Sequence, residues 1–219
     1  MFSTADIIYF VIAIISFILS LFLLRNKDLP IYLKSFAPFI FIDTAISFLT
    51  TYLAYQSINT ISIANILSTA EFCFYIWVIR CIIHNVLIKK ISLLLIIIYP
   101  FLVFVNLAFI QGFNNFHSIT YSISCLFIVF LSVYYFFELF QAQYSVQLVK
   151  EPAFWICTSL LFYYCVSFPL YVLINFMKNF PPNLGNLIGL ITSILNIILF
   201  SLFSIAFLCK IQIRKSSLL

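Results

Sequence analysis

Residues 1–34 read MFSTADIIYFVIAIISFILSLFLLRNKDLPIYLK. An unbroken apolar run over 7–24 gives way to a short polar link carrying Arg25, Lys27 and Lys34, and a second apolar run follows. A helix needs about 20 apolar residues to cross a hydrocarbon core of about 30 Å, and one such run is complete before the first basic residue. No basic region precedes it and no small-residue cleavage site follows, so it reads as a permanent first helix and not as a removable signal peptide. The alternation of apolar run and short break then repeats along all 219 residues. Spans are predicted at 7–24, 35–55, 61–83, 91–110, 118–140, 153–176 and 184–209, giving an all-α polytopic bundle of seven transmembrane helices within one domain, 1–219. With 8% charged and 65% hydrophobic residues, the chain falls outside the soluble class, where about a quarter of residues are charged.

The basic residues predict the orientation. Ten of the eleven Lys and Arg fall in the first, third and fifth links and the tail, and only Lys178 falls in the others. Cytoplasmic loops retain such residues, so the C-terminus is expected in the cytoplasm and Met1 outside, in a multi-pass protein of a cell membrane. The net charge of +5 is spread over short links and gathers on no single surface, which makes the lipid bilayer the expected partner and excludes nucleic acid. Six cysteines, at 73, 81, 125, 157, 165 and 209, lie in or beside apolar runs without a CxxC pair, and free thiols are expected. Glu151-Pro152 suits the start of span six, and Pro100 and Pro169 are expected to bend spans four and six. Gly185-x-x-x-Gly189, with Ser193 on the same helical face, would allow close helix packing, within the chain or as a homodimer seam through span seven. No internal repeat is visible, which disfavours transporters built from duplicated halves.

An ionisable side chain near the bilayer centre costs about 3 kcal/mol on insertion scales and usually faces the bundle interior. Two carboxyls qualify. Asp43 lies nine residues past Lys34, about 13 Å into span two, and Glu71 lies thirteen residues before His84, about 20 Å from that end of span three. Asp43 shares a face with Ser47 and Thr50 or Thr51; Glu71 shares one with Ser68 and Tyr75. These stripes are expected to line a polar ligand pocket between the two spans, with one or both carboxyls protonated. Tyr164, Tyr171 and Asn175 of span six and Thr192 and Asn196 of span seven would complete it. The competing expectation is a neutral, hydrogen-bonded pair that joins helices and holds no ligand. Arg80, near the other end of span three, is expected to reach lipid phosphates.

Most enzyme chemistries lack their residues. Span seven has no lysine before Lys210 for a retinal Schiff base, and His84 and His117 lie at opposite ends of the bundle, so neither a zinc site nor a serine–histidine pair is expected at mid-membrane. Three glycines so placed form no phosphate loop. No catalytic residue, metal site or cofactor is therefore assigned.

Glu71-Phe72 with Phe74-Tyr75, the run Pro152-x-Phe154-Trp155-Ile156 with Tyr163 and Tyr164, and Asn196 carry a resemblance over the whole chain. On these residues it resembles a group of small, functionally uncharacterised bacterial seven-helix integral membrane proteins. The resemblance implies a stand-alone sensory membrane module and supplies no activity or cofactor. A composition rich in Ile, Phe, Asn and Lys suits an AT-rich bacterial genome. With every link short, function is expected inside the bundle or through a cytoplasmic or membrane signalling partner. A sensory or signalling module ranks first, ahead of a small transporter or proton-coupled carrier, for which midplane carboxyls are expected equipment, and ahead of an intramembrane lipid-modifying enzyme.

Overall fold

A computed structural model of the chain describes residues 3–25, 29–141, 148–176 and 182–217, with side chains described for 3–25, 29–141, 148–173, 185 and 187–211. Among the described residues every regular element is helical: α1 (Thr4–Leu24), α2 (Ile31–Tyr55), α3 (Ile61–Ile82), α4 (Val86–Asn106), α5 (Ser118–Gln141), α6 (Pro152–Phe176) and α7 (Pro182–Ser217). A π-helical segment, Leu107–Gln111, prolongs α4, and a 3₁₀ turn, Leu148–Lys150, precedes α6. All seven helices are long and apolar enough to cross a membrane.

Several helices outrun the predicted apolar spans, because helical structure continues past the hydrocarbon boundary wherever a cap or good helix formers permit. Ser3 starts α1 with a capping box: its Oγ accepts from the Asp6 amide at 3.1 Å, and its own amide donates to Asp6 Oδ2 at 3.2 Å. α2 begins at Ile31, directly after Pro30 and ahead of Lys34. Asn85 caps α4 by accepting from the Leu87 amide at 2.8 Å. α7 runs on to Ser217, through basic residues that favour helix. Pro100 and Pro169 lie inside helices as expected, and Pro38 of α2 is a third.

The helices close into a ring in which α1 packs on α2 and on α7, α7 on α6, α6 on α5, and α4 on α3. α3 also touches α2, α5 and α6, which brings its middle into the bundle interior. Apolar side chains cover the outer faces as well as the core, and small polar residues turn inward. Ser16, Ser20, Ser92, Ser124, Ser132 and Ser159 are fully buried, whereas Ile66, Ile97, Phe101 and Phe130 on the outer faces are more than half exposed. Lipid solvates apolar side chains as well as a core does, so small residues take the helix contacts and let backbones approach. Four of the six hydroxyls are satisfied within their own helices, Ser20 donating to Phe17 O at 2.6 Å, Ser92 to Ile88 O at 2.8 Å, Ser124 to Tyr121 O at 2.6 Å and Ser159 to Ile156 O at 2.7 Å, while those of Ser16 and Ser132 have no partner among the described residues.

Alternating helix direction puts Ser3, the α2–α3 turn and the α4–α5 turn at one end. The seven Lys and Arg with described side chains, Arg25, Lys34, Arg80, Lys89, Lys90, Lys150 and Lys210, lie at the other, which we call the basic face. Arg80, expected to reach lipid phosphates, has a partner within the chain: its Nε donates to Lys89 O at 3.2 Å, across the α3–α4 turn. The turn is also clamped by Glu138 of α5, whose carboxylate accepts from the amides of His84 (2.8 Å) and Asn85 (2.9 Å), an acidic group at the positive end of α4. All six cysteines are free thiols.

Candidate functional site

Asp43 is the thirteenth of the 25 residues of α2, and Glu71 the eleventh of the 22 of α3, so both carboxyls sit at mid-helix, as deep in the bundle as a side chain can be placed. They meet. The two carboxyls lie within hydrogen-bonding reach of one another, and because ionised carboxylates only accept, a bond between them needs a proton on one of them. Asp43 is 4% exposed, and its Oδ1 has no hydrogen-bond partner. Glu71 keeps partial exposure; at mid-helix, inside the ring, that exposure is to an internal cavity.

The cavity measures about 170 Å³. Asp43, Ser47 and Thr50 of α2 form one wall, Ser68, Glu71 and Tyr75 of α3 another, and Tyr171, Thr192 and Asn196 close it from α6 and α7. Nine of the eleven positions assigned to the pocket from sequence thus come together, with Thr50 filling the position offered to Thr50 or Thr51. Tyr164 does not. Its neighbour Tyr163 takes the wall, while Tyr164, 1% exposed, packs behind it with ring centroids 5.0 Å from Tyr163 and 6.1 Å from Tyr75. Consecutive helical residues point about 100° apart, so only one of the pair can face the cavity, and the rotation of α6 is set by its seat between α5 and α7. The Asn175 side chain lies outside the described residues.

Sequence reasoning missed nearly half of the lining. Tyr9 of α1, Tyr121 of α5, Tyr163 and the rings of Phe116 and Phe200 all face the cavity. Tyr9 lies near Ser47, Tyr121 near Tyr163 and Tyr171 near Thr192, so lining hydroxyls approach one another in pairs between α1 and α2, α5 and α6, and α6 and α7. The cost argument applied to the carboxyls would have found Tyr9 and Tyr121, since a buried phenol also needs a partner for its hydroxyl.

His117 lies at the end opposite His84, as expected, but in a pairing that sequence reasoning did not find. It precedes α5 in sequence but is fully buried, because Gly112, at φ +82°, turns the chain back after the π segment in a conformation that side-chain-bearing residues avoid. Its amide donates to Asn65 Oδ1 at 3.1 Å, its Nε2 lies 2.8 Å from Ser68 Oγ, and its Nδ1 lies 3.0 Å from Thr120 Oγ1. A serine and a histidine are therefore paired behind the cavity wall. The Ser68 hydroxyl also has Ala64 O at 2.8 Å to receive its proton. With Nε2 donating to Ser68 and Nδ1 accepting from Thr120, every group is satisfied, and the histidine acts as a brace tying α3 to the start of α5. Burial pushes the imidazole down to about 4. The stabilisation from the buried neutral ring is then complete above the ordinary histidine value of about 6.5, and it is lost as pH falls from there toward 4. Ring ¹⁵N chemical shifts should show one neutral tautomer at pH 5.5; a protonated ring at that pH would reject the brace.

A second cavity of about 650 Å³ lies at the end of the bundle holding Ser3, walled by Asp6, Thr51, Tyr55, Gly185, Gly189 and Ser193, and it shares Thr50 and Ala64 with the first. It adjoins the first cavity at those two residues, and we call it the vestibule. The close packing expected of Gly185 and Gly189 is not made within the chain, since a Cβ at either would meet nothing within 4 Å. Ser193 donates instead to Asp6 Oδ1 at 2.9 Å. Toward the basic face a group of phenylalanines lies between the carboxyl pair and a further cavity of about 380 Å³ lined by Tyr32, His84, Tyr135, Glu138 and Glu151. Phe36 packs edge-on against Phe74 (5.2 Å), Phe203 (5.0 Å) and Phe207 (5.5 Å), and Phe36, Phe203 and Phe207 have no exposure. Among the described residues no three His, Cys, Asp or Glu gather as a metal site. No protein-family model, curated protein or solved structure matches the chain, so the resemblance read from its motifs gains no support from these comparisons.

Proposed function

We propose that this chain is a ligand-sensing module of a bacterial cytoplasmic membrane, with its N-terminus outside and its C-terminus in the cytoplasm. A small polar molecule would enter from outside through the vestibule, bind at the Asp43–Glu71 pair, and bias the bundle toward a conformation read by a signalling partner at the basic face. The observation that carries this is the arrangement of the interior: a cavity at the Ser3 end and the mid-membrane cavity share Thr50 and Ala64, whereas a plug of phenylalanines separates the carboxyl pair from the cavity at the basic face. A ligand can shift such an equilibrium only through differential affinity, and groups from six helices around one cavity supply the means. The homodimer seam through Gly185, Gly189 and Ser193 fits this less well, because a second copy there would cover the vestibule.

The carrier reading rests on the same carboxyl pair and on the three helices that contain proline. Two measurements separate them. The protein would be purified under mild conditions from its own membrane, alongside the double variant Asp43→Asn/Glu71→Gln, and small molecules retained by each identified by mass spectrometry. A retained molecule absent from the variant is expected. Proteoliposomes holding a pH-sensitive dye should show no proton flux dependent on Glu71; such a flux would replace the sensor with a proton-coupled carrier. C-terminal reporter fusions active only in the outer compartment would overturn the orientation.

A further inference from the structure

We infer that the Asp43–Glu71 cavity binds a small organic ammonium ion, a single positive charge carried on a few heavy atoms. This rests on the reading that the cavity takes a ligand, and it names the ligand's class. Three observations point the same way.

The first is charge. Two carboxyls line the cavity, and none of its lining residues is Lys, Arg or His. A pair sharing one proton keeps one negative charge, and a buried charge is tolerated only with a counter-charge or full hydrogen bonding. Asp43 Oδ1, buried and without a partner, has neither. The second is the chemistry of the remaining walls. Five tyrosines line the cavity, and Phe116, Tyr121 and Tyr171 form a continuous corner with centroids 4.4 to 5.4 Å apart. Aromatic faces attract alkylammonium ions through the ring quadrupole, and cages of this kind recognise quaternary and methylated ammonium groups. A hard metal cation would instead require a shell of six or more oxygens. The third is size. About 170 Å³ is well under the 300 Å³ or more that drug-sized ligands fill. At the vestibule, Asp6 adds a further acidic group on the path inward.

An ammonium group can arrive free or as the headgroup of a lipid, and the test covers both. Purified protein in nanodiscs of phosphatidylglycerol, which has no ammonium, would be titrated calorimetrically with tetramethylammonium, propylammonium, sodium and uncharged 3,3-dimethylbutan-1-ol at constant ionic strength. At least one ammonium probe should bind about tenfold or more tighter than the alcohol. The single variants Glu71→Gln and Asp43→Asn each leave one carboxyl to carry the charge, and should bind within a few-fold of the native protein. The double variant should not bind, while keeping its helicity and unfolding midpoint. If phosphatidylethanolamine in the discs competes with the probes, the source is a headgroup; if it does not, the source is a free ammonium ion.

Binding of the alcohol as tight as that of the ammonium ions, or of sodium in their place, would overturn the ammonium assignment and leave a ligand site. Failure of every probe would overturn it too. The sensor itself falls only if, in addition, the protein from its own membrane retains no molecule that the double variant lacks.

Discussion

Replacing Glu71 with leucine should destabilise the bundle by about 2 kcal/mol, whereas Glu71→Gln should cost under about 1 kcal/mol. Glu71 and Asp43 hold each other's polar atoms at mid-membrane, where no other described side chain bonds the Asp43 carboxyl. Leucine would leave Asp43 buried with both oxygens unsatisfied, and the unpaired group then carries its desolvation penalty alone. Glutamine can donate an amide N–H to Asp43 and so preserves the bond that a shared proton makes in the native pair. Unfolding in a graded detergent mixture, followed by circular dichroism, measures both. Equal losses for the two variants would show that the native bond is not proton-shared, and no loss for leucine would show that the pair contributes nothing to the fold.

Phe36→Ala should have the larger effect, a loss of about 3 kcal/mol or more, because a fully buried aromatic is replaced by a methyl group and the gap cannot close. Phe36 meets three rings from α3 and α7 at once, and those neighbours are themselves fixed by further contacts: Phe74 stacks on Phe39 at 3.7 Å, and Phe203 lies against Phe200 at 5.9 Å. In a bilayer little of that loss is hydrophobic transfer, since lipid is as apolar as the plug; what disappears is dispersion contact. The same substitution should open the interior toward the basic face. The unfolding midpoint measures the first effect, and reaction of Cys157, which is fully buried in the native bundle, with a water-soluble maleimide measures the second. A midpoint shift below about 1 kcal/mol together with an inert Cys157 would mean that the plug rearranges around the gap.

Both results bear on the proposed mechanism, because they concern opposite halves of one axis. The carboxyl pair lies in the cavity that adjoins the vestibule at the Ser3 end, and the phenylalanines lie on its other side, toward the basic face. A ligand that displaces the Asp43–Glu71 bond acts directly on α2 and α3, and Phe36 sits seven residues along α2 from Asp43, about 10 Å toward the basic face. The plug is therefore the first structure a change at the pocket would reach.

What the chain determines by itself is its solvent. Runs of about 20 apolar residues leave backbone amides and carbonyls no partners but each other, so seven helices were readable from hydropathy, and the cost of a buried charge singled out Asp43 and Glu71. Rotation and depth are different. A helix apolar on all sides carries no stripe to show which face turns inward, so whether Tyr163 or Tyr164 lines the cavity follows only from how α6 seats between its neighbours. The burial of His117 depends on Gly112 folding the loop back onto Asn65 of α3, more than fifty residues away in sequence. Gly185 and Gly189 have the spacing of a packed seam, yet α1 and α7 leave that face open as a vestibule wall. In each case the deciding energy is a contact between helices distant in the chain, which composition and periodicity along one helix do not contain.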